Sequence, residues 1–246
     1  MLQQGPRGRR TTGGLDLQAC PKVTEFYWLQ AFLVVSLVFL ILASVKVANA
    51  DQAVPGDHIS SYLSAAEAGD KKAQYLLGLR YERGVSGVPD FKAAAQWYSK
   101  AAEQGMRLAS FRVALIYHHG RGLTQNYAAA ARWYSSAAEA GLAEAQYNLG
   151  YLYEHGLGVV ENGSQAVAWY RRAALQGISE SYKSLGMLFT KDGLVKRSDA
   201  KALFWLSLSE DDAQAQKIIQ FLRKRGGDAA VQAAQKMRDE WSTHQR

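Results

Sequence analysis

Hydrophobic positions recur at helical intervals along most of this chain, and the helical pattern itself recurs. Trp97, Trp133, Trp169 and Trp205 stand 36 residues apart, and so do Gly69, Gly105, Gly141 and Gly177. Tyr81, Tyr117, Tyr153 and Phe189 keep the same step, as do Gly84, Gly120 and Gly156. The small residues Ala73, Ala109, Ala145 and Ser181 follow it too. A period held at so many positions without an insertion is the signature of a repeat architecture.

Each unit reads as two helices. Ala73, Leu77 and Tyr81 form an apolar stripe at i, i+4 and i+8, which predicts a first helix over roughly 73–83. It stops at the glycine-containing stretches "GVSGVP", "GRGLTQ" and "GLGVVE" in successive units. A second helix then starts after Asp90, Asn126, Asn162 or Ser198, all strong N-cap types, and ends at the glycine of the 105/141/177 series. Residues 57–69 match only a second helix, and the pattern dissolves after Trp205. A helix near 212–224, a break at Gly226–Gly227 and a helix opened by Asp228 are expected to solvate that end of the stack. The expected organisation is a leader over 1–50 and a solenoid over 51–210, followed by capping helices over 211–246. Within the solenoid, the half-unit 57–69 precedes repeats 70–105, 106–141, 142–177 and 178–210.

The leader has its own logic. No charged residue lies between Phe26 and Val45, a length that suits either a membrane-crossing helix or the apolar region of a secretory signal. Arg7, Arg9, Arg10 and Lys22 precede it, which favours an N-terminus kept on the cytoplasmic side. Ala48 and Ala50 supply the small-x-small pattern of a cleavage site, with Asp51 as the mature start. Cleavage gives a periplasmic or secreted protein; retention gives a single-pass anchor. Both readings place residues 51–246 across a membrane. The "RR" at 9–10 lacks the apolar residue that a twin-arginine signal needs soon after it. The lipobox-like "LQAC" at 17–20 precedes the apolar run, where a true lipobox follows it.

Cys20 is the sole cysteine, so the exported part holds no disulfide, thiol nucleophile or thiolate metal site. Of the formal charge of +7, the first fifty residues supply five Lys/Arg against Asp16 and Glu25. The remaining 24 basic and 20 acidic residues are nearly balanced, which does not call for nucleic acid.

The repeats closely resemble the Sel-one-like repeat family, relatives of tetratricopeptide repeats. The third unit carries the pattern most fully, with Ala145, Leu149-Gly150, Tyr153, Gly156, Gly158-Val159, Trp169-Tyr170, Ala173-Ala174 and Gly177. Asn162 stands where the family often has Asp, and the fourth unit departs with Asp192 for a loop glycine and Leu206 for the Tyr. The resemblance implies a right-handed all-α solenoid that serves as a scaffold for protein partners and is often exported in bacteria. Exported members restrain membrane sensor kinases, or support polysaccharide secretion and cell-envelope organisation. One branch is cysteine-rich and linked to β-lactam binding, and the missing cysteines set this chain apart from it.

Candidate sites follow from the repeat register. Trp97, Trp133, Trp169 and their Tyr neighbours suit packing between units; a glycan-binding ladder would instead require those Trp rings exposed. His118 and His119 are expected to point different ways, and no thiol accompanies His58, His155 or His244, so no metal site is expected. Arg83, His119, His155 and Lys191 form a basic series at the ends of first helices, where cations also suit the helix dipole. Partner-binding candidates are the positions where copies disagree. These are Gln74, Ser110, Gln146 and Tyr182 after the small residue, and Leu76, Arg112, Asn148 and Ser184 before the buried aliphatic. No phosphate loop, strand pattern or Ser/His/Asp set marks an enzyme, and no cofactor is expected. The "NGS" at 162–164 is a sequon that overlaps a helix cap. The leading expectation is an exported scaffold that binds a partner segment in its groove. The alternatives are a cell-wall-active or β-lactam-binding enzyme, or a glycan-binding scaffold.

Overall fold

The computed structural model describes residues 59–84, 87–209 and 212–244, with side chains from Tyr62 to Thr243. The leader, with its apolar run, Cys20 and the Ala50–Asp51 junction, lies outside the described residues, as do His58 and the side chain of His244. The described part consists of ten helices: α1 (Ile59–Glu67), α2 (Lys71–Arg83), α3 (Phe91–Glu103), α4 (Arg107–His119), α5 (Tyr127–Glu139), α6 (Ala143–His155), α7 (Gly163–Leu175), α8 (Ser179–Leu188), α9 (Asp199–Leu206) and α10 (Ala213–His244). Each packs chiefly on its sequence neighbours, so the fold is an all-α stack of helix pairs. First helices (α2, α4, α6, α8) alternate with second helices (α3, α5, α7, α9).

Local chemistry explains the regularity. The side chains of Asp90, Asn126, Asn162 and Ser198 accept from the backbone amides of Ala93, Ala129, Gln165 and Lys201, at 2.9, 2.9, 3.0 and 3.3 Å. The backbone amides of the same four residues donate to the carbonyls of Tyr81, Tyr117, Tyr153 and Phe189, so one residue caps the second helix and closes the loop before it. Met106 N donates to Ala101 O and Gly105 N to Ala102 O, with Gly105 at φ 79°. This is a Schellman close, repeated at Gly141 and Gly177, and it drops an apolar residue (Met106, Leu142, Ile178) at the start of the next helix. First helices begin at Lys71, two residues earlier than the apolar stripe implies, because Asp70 caps α2 through Ala73 N at 2.7 Å.

The core is built around tyrosines. Tyr98, Tyr134 and Tyr170 are fully buried. Backbone approaches them closely: a Cβ on Gly150 would sit 2.8 Å from Tyr170 Cδ1, and one on Gly78 2.6 Å from Tyr98 Cδ1. The tryptophans beside them are less enclosed. Trp169 and Trp205 are buried and Trp97 and Trp133 half-buried, with Lys100 and Arg172 lying over the rings of Trp97 and Trp169.

The fourth unit is shortened. Asp192, at the position of Gly84, Gly120 and Gly156, accepts from Arg197 N at 3.0 Å and orders the loop in another way. α10 bends at Gly227 (φ 64°, ψ −170°), where the Gly226–Gly227 break is expected. Its Leu222, Ile219, Ala234 and Trp241 cover Leu203, Phe204, Trp205 and Leu206. The Arg225–Asp199 ion pair ties it to α9, and Arg225 also donates to Thr190 O at 2.7 Å.

Candidate protein-binding wall

The first helices share one wall, and its lining can be read at its C-terminal end. There Tyr147, Glu180, Lys183 and Ser184 face Leu208, Ser209 and Asp212 across an open trough of about 830 Å³. Positions 180, 183 and 184 therefore look into the groove. By the repeat register, so do their counterparts: Lys72, Tyr75 and Leu76 in the first unit, Leu108, Phe111 and Arg112 in the second, and Glu144, Tyr147 and Asn148 in the third. Leu76 and Leu108 are 40% and 45% exposed, high values for leucines of a packed repeat. Within the trough Lys183 pairs with Asp212 at 2.7 Å and donates to Gln214 at 3.0 Å, joining α8 to the capping helix.

Leu76, Arg112, Asn148 and Ser184 thus lie on the accessible wall. The other expected row does not. Gln74, Ser110 and Gln146 are buried between helices, and Tyr182 is half-buried against Trp205. The correction has a physical cause. Gln74 Nε2 donates to Ala66 O at 3.0 Å, Gln146 Nε2 to Ala138 O at 3.1 Å and Tyr182 Oη to Ala174 O at 3.2 Å. Each adds a second bond to a carbonyl at the end of the preceding second helix, which already accepts from Gly69, Gly141 or Gly177 N. The exposed Gln104 and Gln176 then donate to Gln74 and Gln146 at 2.8 Å, carrying the amide ladder out to the surface. Ser110 is too short for this and sits 3.5 Å from Met106 O and 3.4 Å from Ser136 Oγ.

The basic series is exposed at every position, with Arg83, His119 and His155 as the last residues of α2, α4 and α6. Lys191 falls beyond the end of α8, in the loop, because α8 stops at Leu188. His155 Nδ1 lies 3.0 Å from Tyr151 O within its own helix. His118 and His119 do not diverge as expected: their rings are 4.7 Å apart. Among the described residues no three His, Cys, Asp or Glu side chains converge as a metal cage would require.

A second feature was not anticipated. Tyr98 Oη donates to Glu82 at 2.5 Å and Tyr170 Oη to Glu154 at 2.6 Å, so two wall carboxylates are committed to the core. Glu82 also pairs with Arg112 of the next unit at 3.3 Å. Burial, then the neighbouring carboxylate, pushes both phenols well above the usual tyrosine range. The second unit replaces this pair with His118, whose Nδ1 lies 3.4 Å from Tyr134 Oη and whose ring also meets Tyr127 and Tyr151. Desolvation, then the adjacent His119, lowers the His118 pKa.

Comparison with known proteins agrees with this geometry. The Sel1 repeat family model matches residues 71–106, 107–142, 143–178 and 179–211. A Sel1 repeat protein from Oxalobacter formigenes is 29% identical, with 79% of this chain and 84% of that one aligned and a TM-score of 0.64. A protective antigen of uropathogenic Escherichia coli strains with an SLR fold is 35% identical over 68% of this chain, with a TM-score of 0.61. The chain spans only 36% of that antigen's length. No curated protein matches. Sel1 repeats generally serve as scaffolds for protein–protein interaction, typically without catalysis. Four consecutive matches, covering more than half of the sequence, make this chain a member of the Sel1 repeat family.

Proposed function

We propose that this protein is an exported adaptor whose first-helix wall holds a segment of a partner protein. The observation that carries the reading is the wall itself. Its C-terminal end is an open trough that Ser184 helps to line, and the register positions equivalent to Ser184, which are Leu76, Arg112 and Asn148, differ from unit to unit on a frame whose packing residues hardly vary. A preformed surface of this kind loses little ordering entropy on binding. Export rests on the leader: an apolar run after a basic lead, with Ala48 and Ala50 before Asp51, supports a location in a bacterial periplasm or a tether at the membrane's outer face. Regulation of an envelope signalling protein, or support of a polysaccharide or secretion system, are the roles that suit such a scaffold.

The test is site-specific photo-crosslinking of the full-length chain in intact cells. A crosslinker at Asn148 or Ser184 is expected to trap one discrete protein, whereas one at Gln96 or Arg132 on the second helices traps none. Equal labelling from both walls, or none from the first, would sink the reading. Sequencing the N-terminus of the mature protein checks the leader: Asp51 signifies cleavage, and an intact leader in the membrane fraction signifies an anchor.

A further inference from the structure

The partner-binding wall is electrically divided, and the division describes its ligand. α2 and α4 together carry six Lys/Arg (Lys71, Lys72, Arg80, Arg83, Arg107, Arg112) against one carboxylate, Glu82. α6 and α8 carry one, Lys183, against Glu144, Glu154 and Glu180. The internal bonds sharpen the contrast. Glu82 is taken by Tyr98 and Arg112, Lys183 by Asp212 and Glu154 by Tyr170, which leaves Lys71, Lys72, Arg80, Arg83 and Arg107 on α2 and α4 against Glu144 and Glu180 on α6 and α8. In the groove rows themselves, Lys72 and Arg112 stand with the exposed Leu76 and Leu108 in the first two units. Glu144, Asn148, Glu180 and Ser184 stand in the last two.

Resting on the reading of this wall as the partner-binding surface, we infer that its ligand is a charge-segregated peptide segment. An acidic stretch bearing aliphatic or aromatic residues lies over α2 and α4, and a basic stretch lies over α6 and α8. Charge complementarity fixes the register, because sliding or reversing the segment sets like charges against each other along its whole length. The leucines supply apolar burial at the acidic end only.

The test presents full-length protein to a displayed library of short random peptides. Selected sequences are expected to segregate Asp/Glu with Leu, Phe or Tyr at one end and Lys/Arg at the other. For a selected peptide, Lys72→Glu and Glu144→Lys should each weaken binding about five- to tenfold. Lys92→Glu and Glu139→Lys, on the second helices, should change it less than about twofold, and binding should fall with added salt. The double variant Lys72→Glu/Glu144→Lys should recover affinity for a peptide with its charges reversed. All four sites are exposed helix positions, and circular dichroism confirms that each variant is folded. Peptides that compete for the wall yet show no charge segregation overturn this inference and leave the scaffold reading intact. Peptides indifferent to both wall substitutions, together with a failure of wall crosslinking in cells, overturn both.

Discussion

Tyr170 donates its phenolic hydrogen to Glu154 across a span of sixteen residues, joining the interior of α7 to the accessible face of α6 at 2.6 Å. The first unit makes the same bond, and the second replaces its acceptor with a histidine 3.4 Å away. Removing the hydroxyl should therefore have unequal effects. Tyr170→Phe is expected to cost about 1.5–3 kcal/mol, the range for a lost bond to a charged group, and Tyr134→Phe less than about 0.5 kcal/mol. Urea denaturation of the two variants beside the parent checks this, and equal losses would refute it.

The same replacement gives the fold a titration. Burial and His119 hold His118 below its ordinary value of 6.5, so the folded chain binds its proton less readily than the unfolded chain does. The stabilisation from neutral His118 is present above 6.5 and is lost as pH falls through that value towards the folded pKa. Thermal melts of His118→Gln should show a flatter pH dependence just below 6.5 than the parent. Asp199 and Asp212, whose pKa values are lowered chiefly by Arg225 and Lys183, act in a separate and more acidic window below 3.8, which both proteins share.

Neighbouring positions of α6 should respond oppositely to truncation. Gln146→Ala removes one of the two donors to the Ala138 carbonyl, which keeps Gly141 N, and the acceptor of the Gln176 amide, at a cost of about 0.5–1.5 kcal/mol plus the lost packing of a buried side chain. Asn148 donates only to Glu144 O of its own helix, so Asn148→Ala should fall within about 0.5 kcal/mol of the parent. Chemical denaturation measures both. A large loss at Asn148 would place it in the frame instead of the groove.

Capping can be tested in isolation. Asn162 accepts from Gln165 N, and its own amide meets Tyr153 O. Asn162→Ala should cost about 1 kcal/mol, and Asn162→Asp should restore most of it. Hydrogen exchange in the first turn of α7 should speed up in the Ala variant alone.

These residues also show how far the sequence could be read. The period, the four caps, the glycine closes and the Gly227 bend were all legible, because each depends on contacts within a few residues of chain. The interior row at 74, 110 and 146 was not, since polarity that varies from copy to copy suggested solvent. A signal was nevertheless present: glutamine at 74 and 146 coincides with glutamine at 104 and 176, while serine at 110 coincides with Ala140. Side chains that change together at a constant separation of 30 residues are bonded to each other. The Tyr–Glu pairs left the same trace, with His118 as the exception. The wall's charge division was written in the helices throughout, but it became meaningful only once Glu82 and Lys183 were seen to be occupied.

The amide ladder bears on how the protein is made. Gln74, Gln146 and Tyr182 each bring a second donor to a carbonyl that the amide of Gly69, Gly141 or Gly177 already meets, so each following helix locks a close that the chain behind it has made for itself. A chain interrupted before that helix keeps its glycine close but lacks the side chain that ties one unit to the next. The Lys183–Asp212 bond and α10 complete the last unit, so the stack is finished only when its final helix has arrived.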